Sequence, residues 1–201
     1  MRLDYALNQI ADIRRQMTLS RHFRGFRAAS TLATALAAAG AGVWQASRIP
    51  DPASNPLSFV ALWTSVATAS VLVCGGEVFR QYRSSESSSQ QELALMAAEQ
   101  FLPFILVGGM LTFVLSQYEA QAIWMLPGLW QILFGLGLFS LRRLAPNPIY
   151  LVGAFYVLCG LLNLGGGFPH FSPWSMAIPF GMGQAVNALI LYWYMERPHV
   201  A

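Results

Sequence analysis

Few residues of this chain could do chemistry, and most of them lie in or beside long apolar runs. Glu77 and Glu99 each lie near the end of such a run. Two carboxylates brought together could hold a cation or share a proton, which is how buried acids usually act in membrane proteins. Alternatively, each reaches the interface and pairs with an arginine such as Arg80 or Arg142. Glu77 and Glu99 are therefore a candidate cation or acid site.

Uncharged polar residues lie deeper in two other apolar runs. Gln131 lies near the middle of one run, and Gln184 and Asn187 lie near the middle of another. If both runs cross a membrane in the same direction, these side chains have similar depths and could line a small polar cavity. The alternative is hydrogen bonding between helices, worth about 1 kcal/mol or less per contact in membranes.

One histidine lies in the compact segment GGGFPHFSPW, residues 165–174. His170 is a candidate pH-sensitive group, because imidazole changes charge near neutral pH; the alternative is a solvated loop histidine. The glycines are typical of a helix end, and Ser172 followed by Pro173 is typical of a helix start. The segment therefore predicts a hairpin between two helices.

Patterns typical of enzymes and metal sites are missing from the sequence. It contains no GxSxG, HExxH or P-loop pattern, and its two cysteines, Cys74 and Cys159, form no CxxC pair. His22 and His199 are expected on one side of the membrane and His170 on the other, so they cannot share a haem. We predict no catalytic residue, no metal site and no cofactor.

The composition favours a membrane protein. Of 201 residues, 55% are hydrophobic and 10% are charged, whereas soluble domains carry roughly 25% charged residues. The twelve basic residues are all arginine and lie mostly between the apolar runs. They are not clustered with aromatic residues, so we predict no nucleic-acid partner.

Six apolar segments approach the roughly 20 residues that a helix needs to cross a bilayer. They are Ala28–Ser47, Leu57–Phe79, Leu95–Ser116, Ala122–Leu141, Ile149–Leu164 and Trp174–Met195. The sequence therefore predicts an all-α polytopic membrane protein, with a six-helix transmembrane bundle over residues 28–195.

The arginines predict how these spans are oriented. With six spans, eleven of the twelve arginines fall on one side of the membrane and only Arg48 falls on the other. The positive-inside rule then places residues 1–27 and 196–201, and so both termini, in the cytoplasm.

Two polar segments lie on the predicted cytoplasmic side. Residues 3–20 have the spacing of an amphipathic helix. This helix either lies on the inner leaflet, where nearby arginines meet anionic lipid, or docks a cytoplasmic protein partner or a second copy of the chain. Residues 81–92, QYRSSESSSQQE, have the composition of a flexible loop.

Small residues recur at helical spacing in several spans and predict close packing of a compact bundle. The stripes are Thr64, Thr68 and Gly75; Gly109, Thr112 and Ser116; Gly128, Gln131 and Gly135; and Gly153, Tyr156, Gly160 and Asn163. The segments Phe101–Phe104 and Ala177–Phe180 also match, each ending in Pro–Phe. With three spans in each half, this match hints at an inverted repeat.

Three segments, IADIRRQM, LFGLGLFSLRR and SPWSMAIPFGMGQ, resemble those of an uncharacterised family of small bacterial multi-span membrane proteins. The resemblance implies the topology and a bacterial inner-membrane location, but no chemistry. Some members of that family carry histidine at the position of Gln184.

Three functions follow from these patterns, in order of preference. The first is a non-enzymatic regulatory or interaction protein that meets a partner or lipid through its N-terminal helix and arginine-rich inner face. The second is a small transporter or channel that uses Gln131, Gln184 and Asn187. The third is an intramembrane enzyme that uses Glu77 and Glu99.

Overall fold

The described part of the chain, in a computed structural model, comprises residues 27–49, 53–84 and 88–197, and every regular element in it is helical. The helices are α1 (Ala28–Arg48), α2 (Pro56–Ser84), α3 (Ser88–Tyr118), α4 (Leu126–Ser140), α5 (Ile149–Leu164) and α6 (Pro173–Leu191). Short 3-10 segments, Ala120–Met125 and Leu141–Arg143, flank α4, and a π-helical turn, Tyr192–Glu196, continues α6. The all-α prediction is confirmed for these residues, and the helix predicted over 3–20 lies outside them.

Within the described part of the chain, four helical segments are long and apolar enough to cross a membrane. They are Pro56–Ser84, Gln90–Tyr118, Ala120–Ser140 and Pro173–Glu196. The other two helices fall short in different ways, since α1 has 21 residues but is rich in alanine and threonine, while α5 is apolar but has 16 residues. The chain is therefore consistent with a multi-pass membrane protein, and the count of six spans stays a prediction.

The helices pack in the order of the sequence and close into a ring. Each of the six helices contacts the next one along the chain, and α6 returns to contact α1. The pairs α1–α6 and α4–α5 have the most extensive interfaces, whereas α2 and α3 pack more loosely. Among the side chains that the structure describes, those buried in α2 are Phe59, Val60 and Trp63, and those buried in α3 are Ala94 and Ala97. The first and last helices therefore form one tight pair, and α4 and α5 form the other.

The buried apolar side chains form a cluster at each end of the ring. One cluster includes Ala28, Ala94, Leu141, Leu144 and Leu191. Arginines lie beside it in the chain, so we call this the arginine end; they are Arg27, Arg80, Arg83, Arg142 and Arg197. The cluster at the opposite end includes Phe59, Trp63, Leu126, Phe171 and Met176. Neighbouring helices thus run in alternating directions between two ends of different charge.

Polar contacts join three helix termini at the arginine end. The backbone N–H of Ala28, at the start of α1, donates to Oε1 of Glu196 at 2.9 Å. Glu77 of α2 lies 3.5 Å from Nε of Arg27 and 2.8 Å from the guanidinium of Arg80. The first N–H groups of a helix lack partners within it, and the Glu196 carboxylate provides a partner for one of them. Its negative charge also interacts favourably with the positive end of the helix dipole.

The segment predicted as a flexible loop is largely helical. α2 continues to Ser84 and α3 begins at Ser88, and residues 85–87 lie outside the described part. Nε2 of Gln91 donates to the carbonyl of Tyr82 at 3.3 Å, in the last turn of α2, where backbone carbonyls lack helical partners. This bond ties the two helices together and helps polar residues to continue both of them.

The α2–α3 hairpin extends beyond its neighbours at the arginine end. The hydroxyl of Ser140, the last residue of α4, donates to the carbonyl of Gln100, so these two residues lie at one level. α3 begins twelve residues before Gln100. Ala94, midway along this stretch, still belongs to the same buried cluster as Leu141 and Leu144 of the segment after α4. At 1.5 Å per residue, α3 therefore projects about 9 Å beyond this contact.

Glycines bring the backbones of α4 and α5 into contact. A Cβ atom added at Gly135 would lie 2.6 Å from the carbonyl oxygen of Gly153, and one added at Gly160 would lie 2.6 Å from that of Gly128. Close packing along these two stripes is therefore confirmed. Gly75 of the α2 stripe and Gly109 of the α3 stripe make no such contact, because a Cβ added at either would meet nothing within 4 Å. In the α3 stripe, Thr112 instead contacts α4 by accepting the indole N–H of Trp130 at 2.9 Å.

Candidate functional site

The central polar contact of the bundle is built around one backbone carbonyl. Gln131 of α4 is fully buried, and its Nε2 donates to the carbonyl of Ser175 in α6 at 2.7 Å. Nδ2 of Asn163 in α5 donates to the same carbonyl at 3.3 Å. This carbonyl lacks its usual helical donor because the residue four positions later is Pro179, which has no N–H. The two amides compensate for the proline and join three helices.

A second proline is accompanied by a similar contact. Pro103 lies inside α3, and the hydroxyl of Ser140 in α4 donates at 3.1 Å to the carbonyl of Gln100, three residues before the proline. The carbonyl that Pro103 leaves without a helical donor is that of Glu99, so the Ser140 contact lies one residue further along, and the same hydroxyl also lies 2.7 Å from the carbonyl of Gly137. The two matching Pro–Phe segments thus share a local feature: a polar side chain of α4 donates to the preceding turn.

A buried glutamine that the sequence analysis missed lies at the opposite end. Nε2 of Gln45 in α1 donates to the carbonyl of Phe171 at 3.2 Å, and the indole N–H of Trp63 in α2 donates to Oε1 of Gln45 at 2.8 Å. The sequence signal for it was a single amide side chain in a helix composed otherwise mostly of small or apolar residues. Its contacts attach the loop before α6 to both α1 and α2.

Phe171 has a backbone conformation that bulky residues rarely adopt. Its φ is 59°, yet its side chain is buried and its ring centroid lies 5.5 Å from that of Phe59. Such a conformation costs of order 1–3 kcal/mol and persists only where surrounding contacts impose it. The hydrogen bond from Gln45 and the aromatic contact are those constraints, so the loop is held in one shape.

The neighbouring His170 is exposed and stacks on Trp124. The ring centroids lie 4.8 Å apart with an angle of 16° between the planes. Its role as a pH-sensitive group stays a prediction. As expected, Pro173 is the first residue of α6, but Ser172 precedes it without a capping hydrogen bond from its side chain.

The structure does not bring Gln131, Gln184 and Asn187, the predicted lining of a polar cavity, into one contact. Nδ2 of Asn187 donates to Oε1 of Gln184 at 3.4 Å. Gln131 instead contacts Ser175, nine residues before Gln184, which separates the two levels by about 13 Å. Gln131 thus lies level with the third residue of α6, whereas Gln184 lies between two and three turns further along that helix.

Glu77 and Glu99 are likewise not brought together. Glu77 is partly buried and pairs with Arg27 and Arg80, as the alternative interpretation expected. Glu99 is exposed and has no ion-pair partner within residues 27–49, 53–84 and 88–197. In the same ranges, no three histidine, cysteine or acidic side chains lie close enough to hold a metal ion.

Tyr156 of α5 carries one of five buried side-chain polar atoms that have no hydrogen-bond partner within the described residues; the others belong to Gln100, Ser116, Gln131 and Asn187. Its side chain is fully buried against Gly183 of α6 and packs edge-on against Phe134. Its hydroxyl has no hydrogen-bond partner among the residues described, and neither does Oδ1 of Asn187. The sequence placed Tyr156 on a packing face but gave no sign that its hydroxyl would lack a partner.

Replacing Tyr156 by phenylalanine is expected to stabilise the protein. A buried hydroxyl without a partner carries a desolvation cost of about 1–3 kcal/mol, and phenylalanine keeps the packing. We expect Tyr156→Phe to raise Tm by about 2–4 °C per kcal/mol recovered, measured by thermal unfolding in detergent. A fall in Tm would instead reveal that the hydroxyl bonds a water molecule or ligand.

Comparison of the chain with models of protein families, with curated proteins and with solved structures finds no match. The geometry itself offers buried amides that satisfy carbonyls and join helices. Neither these contacts nor the acidic residues within the described part form a reacting group beside a base.

Proposed function

We propose that this chain is a six-span protein of the bacterial inner membrane that acts by binding partners rather than by catalysis. Four of its helices have the length and composition of membrane spans. α1 and α5 pack between the same two ends as these four and complete the ring. α1 buries its polar residues against its neighbours, and α5 can cross where the bilayer is thin or with extension into the glycines that follow it.

The proposed orientation has the arginine end in the cytoplasm. Arg27, Arg80, Arg83, Arg142 and Arg197 lie at this end, and Arg48 ends α1 at the opposite end. Positive residues near membrane spans are retained on the cytoplasmic side. Both termini then lie in the cytoplasm, and anionic lipid is a partner of this face.

The projecting α2–α3 hairpin is the observation that favours a role in binding partners. Its last turns, near Arg83 and Glu92, are exposed at the arginine end, and α3 extends about 9 Å beyond the buried contact of Ala94. The exposed polar side chains of these turns offer a surface to a cytoplasmic protein or to a second copy of the chain. The predicted amphipathic helix over residues 3–20 would enter the bundle on the same side and adds a second docking element.

Transport and catalysis draw less support from the geometry. A transport path through Gln131 would have to break its contact with the Ser175 carbonyl, which has no N–H donor of its own helix. An acid-based enzyme would need Glu77 and Glu99 to approach each other, whereas Glu77 is already paired with two arginines.

Photo-crosslinking in cells tests the proposal. A crosslinking amino acid is placed at Arg83 or Glu92 on the hairpin, and at Leu106 on the exposed apolar face of α3 as the control. We expect one protein, identified by mass spectrometry, to be attached from both hairpin positions and not from Leu106. Deletion of residues 1–20 should weaken or abolish that product.

Two results would contradict a role in binding partners. One is the same background of products from the hairpin positions and from Leu106. The other is full retention of protein and lipid binding in a chain that lacks residues 1–20. A chain whose arginine end is labelled from outside the cell would contradict the proposed orientation.

A further inference from the structure

An apolar groove runs along the outer surface of the bundle between α5 and α6. It has a volume of about 310 Å³, and among the residues that line it are Leu151, Val152, Phe155, Met182, Val186 and Ile190. No charged residue lines the groove. Leu151, Met182 and Val186 remain 58%, 57% and 48% exposed, so the groove opens sideways, away from the ring.

The groove has a clear origin in the packing of these two helices. Gly183 has no side chain to fill it, and the ring of Tyr156 occupies the inner side of that glycine. α5 contacts α6 much less extensively than it contacts α4, where glycines face one another. The outer edges of α5 and α6 are therefore left apart, and the protein itself provides no side chain to fill the space.

One end of the groove lies at the arginine end of the bundle. Pro148, just before α5, and Ile190, near the end of α6, mark this end of the lining. Arg197 lies seven residues after Ile190, about 10 Å along the helical residues 190–196, and Arg142 lies six residues before Pro148, in the 3-10 segment that follows α4. Both arginines are exposed.

The charge at this end is free to attract an anion. Within the described ranges, neither Arg142 nor Arg197 forms an ion pair; the guanidinium of Arg197 lies 4.1 Å from the ring centre of Trp193. The neighbouring Glu196 uses Oε1 to accept the N–H of Ala28. Arginine and exposed aromatic rings together are typical of the level where lipid headgroups lie.

We propose that this groove binds one acyl chain of an anionic phospholipid whose headgroup lies against Arg142 and Arg197, an inference that rests on the proposed membrane placement. An acyl chain matches the apolar lining and the sideways opening, and the phosphate and its anionic headgroup match the two arginines. In the proposed orientation, the lipid belongs to the inner leaflet. A zwitterionic lipid would fit the groove but would gain less from the arginines.

Native mass spectrometry of the purified full chain in detergent tests this site. Phosphatidylglycerol and phosphatidylcholine with identical acyl chains are titrated separately. We expect a complex with one phosphatidylglycerol, bound more tightly than phosphatidylcholine. Arg142→Gln and Arg197→Gln should each weaken phosphatidylglycerol binding about fivefold, since one arginine near a membrane surface contributes about 1 kcal/mol. Arg83→Gln, at the same end but on α2, is the matched control and should change nothing.

The groove itself is tested by filling it. Val186→Trp should abolish binding of both lipids, and Leu151→Trp, on the facing wall, should do the same. Val107→Trp introduces the same side chain at an exposed position of α3, away from the groove, and should leave lipid binding intact. Equal binding of the two lipids, equal loss with Val107→Trp, or equal weakening with Arg83→Gln would each overturn the proposal. Because these measurements use purified protein, they can fail or succeed independently of the crosslinking to a cytoplasmic partner.

Discussion

Gly135→Ala is expected to destabilise the bundle by about 1–3 kcal/mol, as overpacking of a well-packed interior does. The new Cβ would lie 2.6 Å from the carbonyl oxygen of Gly153 and 2.8 Å from Cγ2 of Val157. The carbonyl belongs to a helix backbone and cannot rotate away, so α4 and α5 must move apart. Separation loses the dispersion contacts on which helix association in lipid depends. Thermal unfolding in detergent measures the effect.

Gly160→Ala should have the same effect from the other helix, because its Cβ would lie 2.6 Å from the carbonyl oxygen of Gly128. Once one substitution has separated the helices, the second Cβ has more space. The double variant should therefore lose less stability than the sum of the losses in the two single variants. This shortfall would show that the two glycine contacts act as one interface.

Gly40→Ala is the matched control and should have the opposite sign. Gly40 is also in a helix interior, but a Cβ added there would meet nothing within 4 Å. Alanine is favoured over glycine in a helix by about 0.5–1 kcal/mol, so this variant should become more stable. If Gly135→Ala and Gly40→Ala stabilised the protein equally, the backbones of α4 and α5 would not be in contact.

Gln131→Leu is expected to cost up to about 1 kcal/mol, because it loses a hydrogen bond between helices worth about 1–2 kcal/mol but also removes Oε1, which is buried without a partner. Leucine keeps much of the side-chain volume but leaves the Ser175 carbonyl with only the longer bond from Asn163. The cost should depend on Pro179, because this proline is the reason that the carbonyl needs a donor from another helix. Unfolding of the single and double variants measures that dependence.

Pro179→Ala restores an N–H four residues after Ser175, so the helix can satisfy the carbonyl itself. In the Pro179→Ala background, Gln131→Leu should cost less than about 0.5 kcal/mol. A double-mutant cycle should therefore give a coupling energy of up to about 1 kcal/mol between the two substitutions. Gln45→Leu is the control, because Gln45 bonds to Phe171 and Trp63 rather than to Ser175. This substitution should destabilise the protein equally with proline or alanine at position 179. Additive effects of Gln131→Leu and Pro179→Ala would disprove this role of the proline.

The helices themselves were largely predictable from the apolar runs. The predicted range Ile149–Leu164 is the observed range of α5, and α6 begins within one residue of its predicted start. The largest differences have local causes. The segment before α4 adopts 3-10 geometry, and α4 begins with Pro127 in its first turn, where proline is tolerated. The polar residues at the end of α2 and the start of α3 are helical, unlike the predicted loop, because the hydrogen bond between Gln91 and Tyr82 joins the two helices.

The small-residue stripes show why composition alone did not predict packing. Gly128 and Gly135 are seven residues apart, and so are Gly153 and Gly160 on the next helix. This equal spacing lets two antiparallel helices meet at both glycines. Gly75 of α2 has no matching partner and stays open. A stripe predicts contact only where the facing helix has a stripe of the same spacing.

The partners of the buried polar groups could be predicted only in part. Pro179 indicates from the sequence that the Ser175 carbonyl needs a donor. Which amide supplies it depends on where each helix begins and on how the helices align, which no local pattern contains. Gln131 therefore has a definite partner in α6 that differs from the one its estimated depth suggested.

Closure of the ring by α1 and α6 has a consequence for how the protein is made. α1 is the first described helix to leave the ribosome, but its most extensive interface is with the last, and the residue that accepts the N–H of Ala28 is Glu196. A nascent chain that has not yet inserted α6 leaves Gly42 without Ala177 and the N–H of Ala28 without Glu196. Final packing of α1 therefore waits until α6 has been made and inserted.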